Sequence, residues 1–155
     1  MEVFMKRLKE ISDFYNLMTE TDAIYEIIQK QSGLSDAEFW CFSAIRLDGC
    51  RFQHQISDLL HMNKQTVNAA LRQLVRKGHL MLSAPPENQR VKVISLTIQG
   101  IAFAKEHIDV MAELENTAWK KLDQEEKKQL YEATSHYNQH LLEAVRKKFS
   151  PEHAV

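Results

Sequence analysis

Between residues 53 and 100 the spacing of apolar residues changes from a helical to a strand-like period, and this succession limits the chain to few folds. Ile56, Leu59 and Leu60 lie at helical spacing over Gln53 to His61, leaving Gln53, Gln55, Ser57 and Asp58 for solvent or phosphate. Met62 and Asn63 form a turn, and Asn63 is a strong N-cap for a second helix. That helix carries Val67, Ala70, Leu71 and Leu74 on one stripe and closes at Lys77 and Gly78. His79 to Ala84 and Val91 to Leu96 then read as two strands, separated by Pro85, Pro86, Glu87, Asn88, Gln89 and Arg90. Helix, turn, helix and a proline-stiffened hairpin in this order make a winged helix-turn-helix.

The polar stripe of the second helix states its chemistry. It consists of Lys64, Gln65, Asn68, Arg72 and Arg76, and no Asp or Glu occurs from 64 to 78. Gln and Asn pair with adenine edges and Arg with guanine or phosphate, so this stripe suits a helix that enters a DNA major groove. Arg90 at the hairpin tip suits a narrow minor groove, where the negative potential is strongest. With Gln53 and Lys92 on the flanking elements, these residues are the candidate DNA contacts. The formal net charge of −1 is unevenly divided. Residues 51–92 hold seven Lys/Arg against two Asp/Glu, whereas residues 1–50 hold five against nine and residues 93–155 eight against ten. The positive charge therefore coincides with the reading module, as DNA recognition requires.

The 155 residues, 44% hydrophobic, suffice for one sizeable core with helical extensions. The expected fold is mainly α with a small β-wing. No apolar run reaches the length of a membrane span or a signal-peptide core, which points to a cytoplasmic protein. Cys41 and Cys50 lie in no metal-binding pattern; Cys41, between Trp40 and Phe42, reads as an inert buried thiol. A phosphate-binding glycine loop, a nucleophile elbow and a His-Glu-x-x-His sequence are all missing, so the chain does not read as an enzyme. His136 and His140 stand four apart but lack a third ligand nearby, so neither a metal nor another cofactor is expected.

The flanking segments are helical. Phe4, Leu8, Ile11, Tyr15, Met18, Ile24, Ile27 and Ile28 predict one helix over Val3 to Gln31, ended by Gly33. Ser35 and Glu38 form a capping box, with Leu34 and Phe39 placed as a hydrophobic staple, for a buried helix from Asp36 to about Leu47. Thr97 caps a long helix through Trp119, and Asp123 with Glu126 caps a last one reaching Phe149. Residues 34–97 are thus the DNA-binding domain. Residues 1–33 and 98–155 have more apolar surface than they can bury alone and are expected to form a dimerisation bundle in a two-fold homodimer.

In element order and junction residues the chain resembles the MarR family of bacterial transcriptional regulators over nearly its whole length. The resemblance is carried by Thr66-Val67-Asn68 opening the recognition helix and by Leu74 through Lys77-Gly78 ending it. It continues from Arg90 through Val91-Lys92-Val93-Ile94 to Ser95-Leu96-Thr97 and Gly100. It adds Thr66 to the candidate contacts and implies a homodimer on a pseudo-palindromic operator, often a repressor released by a small ligand or an oxidant. Two departures stand out: Asn88 occupies the position where the family usually has an Asp that steadies the wing Arg, and no Cys lies near the start of the first helix. Peroxide sensing through such a Cys is therefore not expected. The resemblance places an effector between the dimerisation helices and the reading lobe. Tyr15, Trp40 and Arg46 are the candidates there, suited to a small aromatic carboxylate or phenol. The competing reading is a protein-interaction adaptor that keeps the winged helix without specific DNA binding.

Overall fold

A computed structural model describes residues 7–84 and 91–149. The elements run α1 (Lys9–Ser32), α2 (Asp36–Leu47), α3 (Gln53–Leu60), α4 (Lys64–Arg76), β1 (Leu80–Ser83), β2 (Val93–Leu96), α5 (Ile98–His107), α6 (Asp109–Lys121) and α7 (Gln124–Phe149). They form two compact units, residues 1–113 and 114–155. The expected class, mainly helical with a small β-wing, is what the structure shows. The expected start of the first helix at Val3 and the wing tip from Pro85 to Arg90 lie outside the described residues.

Side-chain caps define most of the helix starts in the first unit. Ser35 Oγ accepts from the Glu38 amide, and Glu38 Oε2 accepts from the Ser35 amide at 2.8 Å. Asn63 Oδ1 accepts from the Thr66 amide at 2.8 Å, and Thr97 Oγ1 from the Gly100 amide at 2.9 Å. Each satisfies backbone donors that have no partner inside the helix. Gly33 closes α1 in the left-handed region at φ 67°, where a side chain would be strained.

The core of this unit is built on α2. Phe39, Cys41, Phe42 and Ala44 are buried, joined by Ile56 of α3, Val67, Ala70, Leu71 and Leu74 of α4, Leu80 and Ile94 of the hairpin, and Ala104, Ile108 and Met111 beyond it. The strands pair antiparallel in the register Leu80↔Leu96 and Leu82↔Ile94. One further backbone bond, from the Ile94 amide to the Arg51 carbonyl at 2.8 Å, fixes the hairpin against the entry to α3.

The long helix expected from Thr97 to Trp119 is interrupted. Ile108 separates α5 from α6, and the Met111 amide bonds back to the Ile108 carbonyl, three residues away, at 3.0 Å. Periodicity did not expose the break, because Ile108 is itself an apolar residue on the buried stripe. What accompanies it is tertiary: Asp109, the first residue of α6, is gripped by Arg46 of α2 through Nε at 2.8 Å and Nη2 at 2.6 Å.

In the second unit Asp123 and Glu126 form the expected capping box at 2.8 Å in both directions. None of the residues of α7 is buried. Among the described residues no helix is long and apolar enough to cross a membrane.

Candidate nucleic-acid interface

The helix-turn-helix is held both at the start of α3 and at its turn. At the start of α3, Gln55 Oε1 accepts from the Arg51 and Phe52 amides at 2.8 and 3.1 Å, capping the helix from its third residue. At the turn, His61 adopts the left-handed conformation with φ 51°, and Ser57 Oγ donates to the Met62 carbonyl at 2.6 Å. Ser57, expected to face solvent or phosphate, is therefore a buried brace of the turn. Leu59 departs from expectation in the opposite sense, lying exposed beside buried Ile56. A helix this short presents only a narrow stripe to the core, and Ile56 occupies its centre.

Helix α4 turns Val67, Ala70, Leu71 and Leu74 inward. Its other face exposes Lys64, Gln65, Asn68, Arg72 and Arg76, with Thr66 half-buried at the first turn. The structure thus brings the expected recognition stripe onto one surface. Among the described residues no carboxylate pairs with Lys64, Arg72 or Arg76. Thr66 and Gln53 are already engaged. The Thr66 hydroxyl donates to Asn63 Oδ1 at 3.0 Å, and Gln53 Nε2 donates to the Lys64 carbonyl at 2.8 Å. Gln53 therefore joins the first turn of α3 to the first turn of α4, a positioning task that needs a long amide side chain. Lys92 is exposed just before β2; Arg90 lies outside the described residues.

Lys77 contributes to the positive count in the sequence but not to this surface. Its Nζ lies 2.8 and 3.0 Å from the two carboxylate oxygens of Glu38, whose side chain is only 6% exposed. Burial pushes the Glu38 carboxyl up, but the hydrogen bonds from Lys77 and Ser35 and the Lys77 charge outweigh it, leaving the group below the ordinary carboxylate value. The pair ties the end of α4 to the start of α2. Beyond it, buried His79 lies against Phe103 at 4.2 Å and Phe42 at 5.8 Å between ring centroids, with Nδ1 unpartnered. Burial and the Lys77 charge hold its imidazole below the ordinary value, opposed by Glu38.

The three expected effector residues do not converge. Arg46 makes its forked pair with Asp109, which holds the Asp109 carboxyl below its ordinary value. The Tyr15 ring lies under the Arg7 guanidinium at 4.8 Å. Trp40 instead meets Tyr25 edge-on at 5.3 Å and donates from Nε1 to Asp36 at 3.1 Å. These two rings wall a groove of about 770 Å³ whose lining includes Leu60, Met62, Asp22 and Glu26. Sequence reasoning missed Tyr25 because its helix offers several aromatic and apolar residues, and only packing against α2 selects among them.

Both cysteines are buried, and burial pushes the Cys41 thiol up to about 11. Cys50 is also raised, by burial and by the Asp48 charge. Among the described residues no group of three His, Cys, Asp or Glu could hold a metal, and His140 faces Glu143 at 3.4 Å.

No protein-family profile and no curated protein sequence matches the chain. Solved structures do. NMB1585, a MarR family regulator from Neisseria meningitidis, superposes with a TM-score of 0.77 at 16% identity, over 91% of this chain and 99% of that one. S. aureus MepR in complex with DNA gives 0.67 at 22% identity, over 87% and 99%. Bordetella bronchiseptica BpsR, whose DNA binding is regulated by 6-hydroxynicotinic acid, gives 0.65 at 17% identity, over 89% and 97%. The fold of this chain is the winged helix-turn-helix of MarR family regulators, with its flanking helices.

Proposed function

We propose that this chain is a MarR-type transcriptional regulator: a sequence-specific binder of double-stranded DNA that acts in the cytoplasm. It works as a homodimer on a pseudo-palindromic operator, as a repressor released by a small ligand. The observation that carries the reading is the exposed, acid-free face of α4, presented by a helix-turn-helix in the fold that MepR uses on DNA. Lys64, Gln65, Asn68, Arg72 and Arg76 face the groove; Arg90 and Lys92 serve the wing; Gln53 and Thr66 fix the first turns.

The homodimer reading rests on uncovered apolar faces. Ile24 and Ile27 of α1 are 55% and 65% exposed, and Leu130, Leu141, Val145 and Phe149 of α7 lie open as well. A second copy of the chain is the cover we assign, because two reading heads related by a two-fold axis match successive grooves about 34 Å apart. The effector groove we assign is that of Tyr25 and Trp40. Its carboxylates, Asp22, Glu26 and Asp36, repel an aromatic carboxylate and leave a phenol or another uncharged aromatic as the better occupant.

Selection of bound sequences from random duplex DNA, followed by titration of the enriched site across salt, tests the reading. An inverted repeat with half-sites about 10 bp apart, centre to centre, and a steep loss of affinity with salt are expected. No enriched sequence and only weak association would favour the adaptor.

A further inference from the structure

We propose that a pocket at the junction of α3, α4 and the approach to β2 seats one backbone phosphate of the bound duplex, shared by Lys64, Lys92 and His54. The inference rests on the DNA-binding reading and adds to it a single, three-element phosphate site. The pocket encloses about 520 Å³ and is lined by Phe52, Gln53, His54, Lys64, Val91 and Lys92. Two lysines from different elements line it, and among the described residues no carboxylate does. Two like charges brought together on a concave surface repel one another, and an anion seated between them relieves that repulsion.

The walls are fixed before any ligand arrives. The Gln53–Lys64 bond locks the first turns of α3 and α4 together at 2.8 Å, and the Ile94–Arg51 backbone bond locks the approach to β2 against the entry of α3 at 2.8 Å. The His54 imidazole lies almost parallel to the Phe52 ring, 15° apart with centroids at 5.7 Å, which orients its edge. Lys64 and Lys92 are exposed and, among the described residues, neither is in an ion pair. An oxyanion between ammonium groups with an imidazole N–H beside it receives charge-assisted hydrogen bonds from three directions. One phosphate held by both the recognition helix and the wing would set the angle at which α4 enters the groove.

The test uses the full-length protein and the duplex recovered by the selection above, resynthesised with single uncharged methylphosphonate linkages placed one at a time along each strand. Wild type, Lys64→Gln, Lys92→Gln, His54→Gln and the Lys64→Gln/Lys92→Gln double variant are titrated on each. The expected result is one linkage per half-site whose neutralisation weakens wild type but has little further effect on any of the variants. The double variant should lower the salt slope by about 1 per half-site, the value for a single phosphate. Different sensitive linkages for Lys64 and Lys92, a double-variant slope lower by about 2 per half-site, or a His54 variant indistinguishable from wild type would overturn the shared site while leaving DNA binding intact. Failure of wild type to enrich or bind any duplex would instead overturn the DNA reading, and this site with it.

Discussion

Gly100 lies in the first turn of α5 with an ordinary helical backbone, so conformation alone does not require glycine there. Contact does: a Cβ at this position would run into the His79 carbonyl. The same carbonyl accepts from the Thr97 amide at 3.1 Å, and the Thr97 hydroxyl donates to the Gly78 carbonyl at 2.5 Å while capping α5. Leu-Thr-x-x-Gly is therefore a device for docking a helix start onto the chain that leaves α4. Gly100→Ala should destabilise the protein by about 3 kcal/mol, because rigid backbone rather than a flexible side chain must give way. Urea unfolding of the purified variant measures it. His79, 7% exposed beside this contact, adds a pH dependence. Its folded pKa is lowered, so its contribution is fully present above the ordinary value of 6.5 and is lost as pH falls through the folded value. Glu38 has the same sign at lower pH, with stability present above the ordinary carboxylate value of 4.5 and lost as it protonates. The thermal midpoint should fall as pH drops from about 7 to 5, and the fall should be shallower in His79→Leu.

At the scale of the element, α4 divides cleanly into a buried and an exposed polar face, and its ends are positioned by other elements. Asn63 caps its start, Gln53 of α3 holds its first carbonyl, and Glu38 of α2 grips Lys77 just past its end. Among the described residues no carboxylate pairs with the cations of the outer face, Lys64, Arg72 and Arg76. Arg72 is exposed near the middle of that face, and base reading is the role proposed for it above. Arg72→Ala should cost about 1–3 kcal/mol on the selected operator and much less on unrelated duplex. A fluorescence-anisotropy titration of both duplexes checks this. An equal loss on the two would show that Arg72 contacts only phosphate.

For the molecule as a whole, the first unit has a closed core, and among the described residues the second has none of its own: no residue of α7 is buried. An apolar face of this extent in water is a standing free-energy cost that association removes. Sedimentation at micromolar concentration should therefore give the mass of a dimer. Leu141→Glu with Val145→Glu, on residues 48% and 44% exposed in the single chain, should shift it to monomer and weaken operator binding. A monomeric wild type under those conditions would refute the two-headed reader.

What the sequence determined by itself is whatever depends on neighbours along the chain. The caps at Ser35, Asn63, Thr97 and Asp123, the turn at Met62–Asn63, the inward stripe of α4 and its acid-free outer face are set by side chains within a few residues of the groups they serve. The local periodicity likewise placed β1 and β2 to within a residue or two. What only the tertiary structure decided depends on partners far apart in the chain. Arg46 meets Asp109 across 63 residues, Lys77 meets Glu38 across 39, Gln53 braces α4, and Trp40 faces Tyr25 rather than Tyr15 or Arg46. Each changes the part its residue plays, turning an expected ligand cation into a strut and a lysine counted in the positive charge of residues 51–92 into the partner of a buried acid. Periodicity identifies the face on which a side chain lies, but only packing brings two faces together, and the charge left exposed is what remains after those pairings.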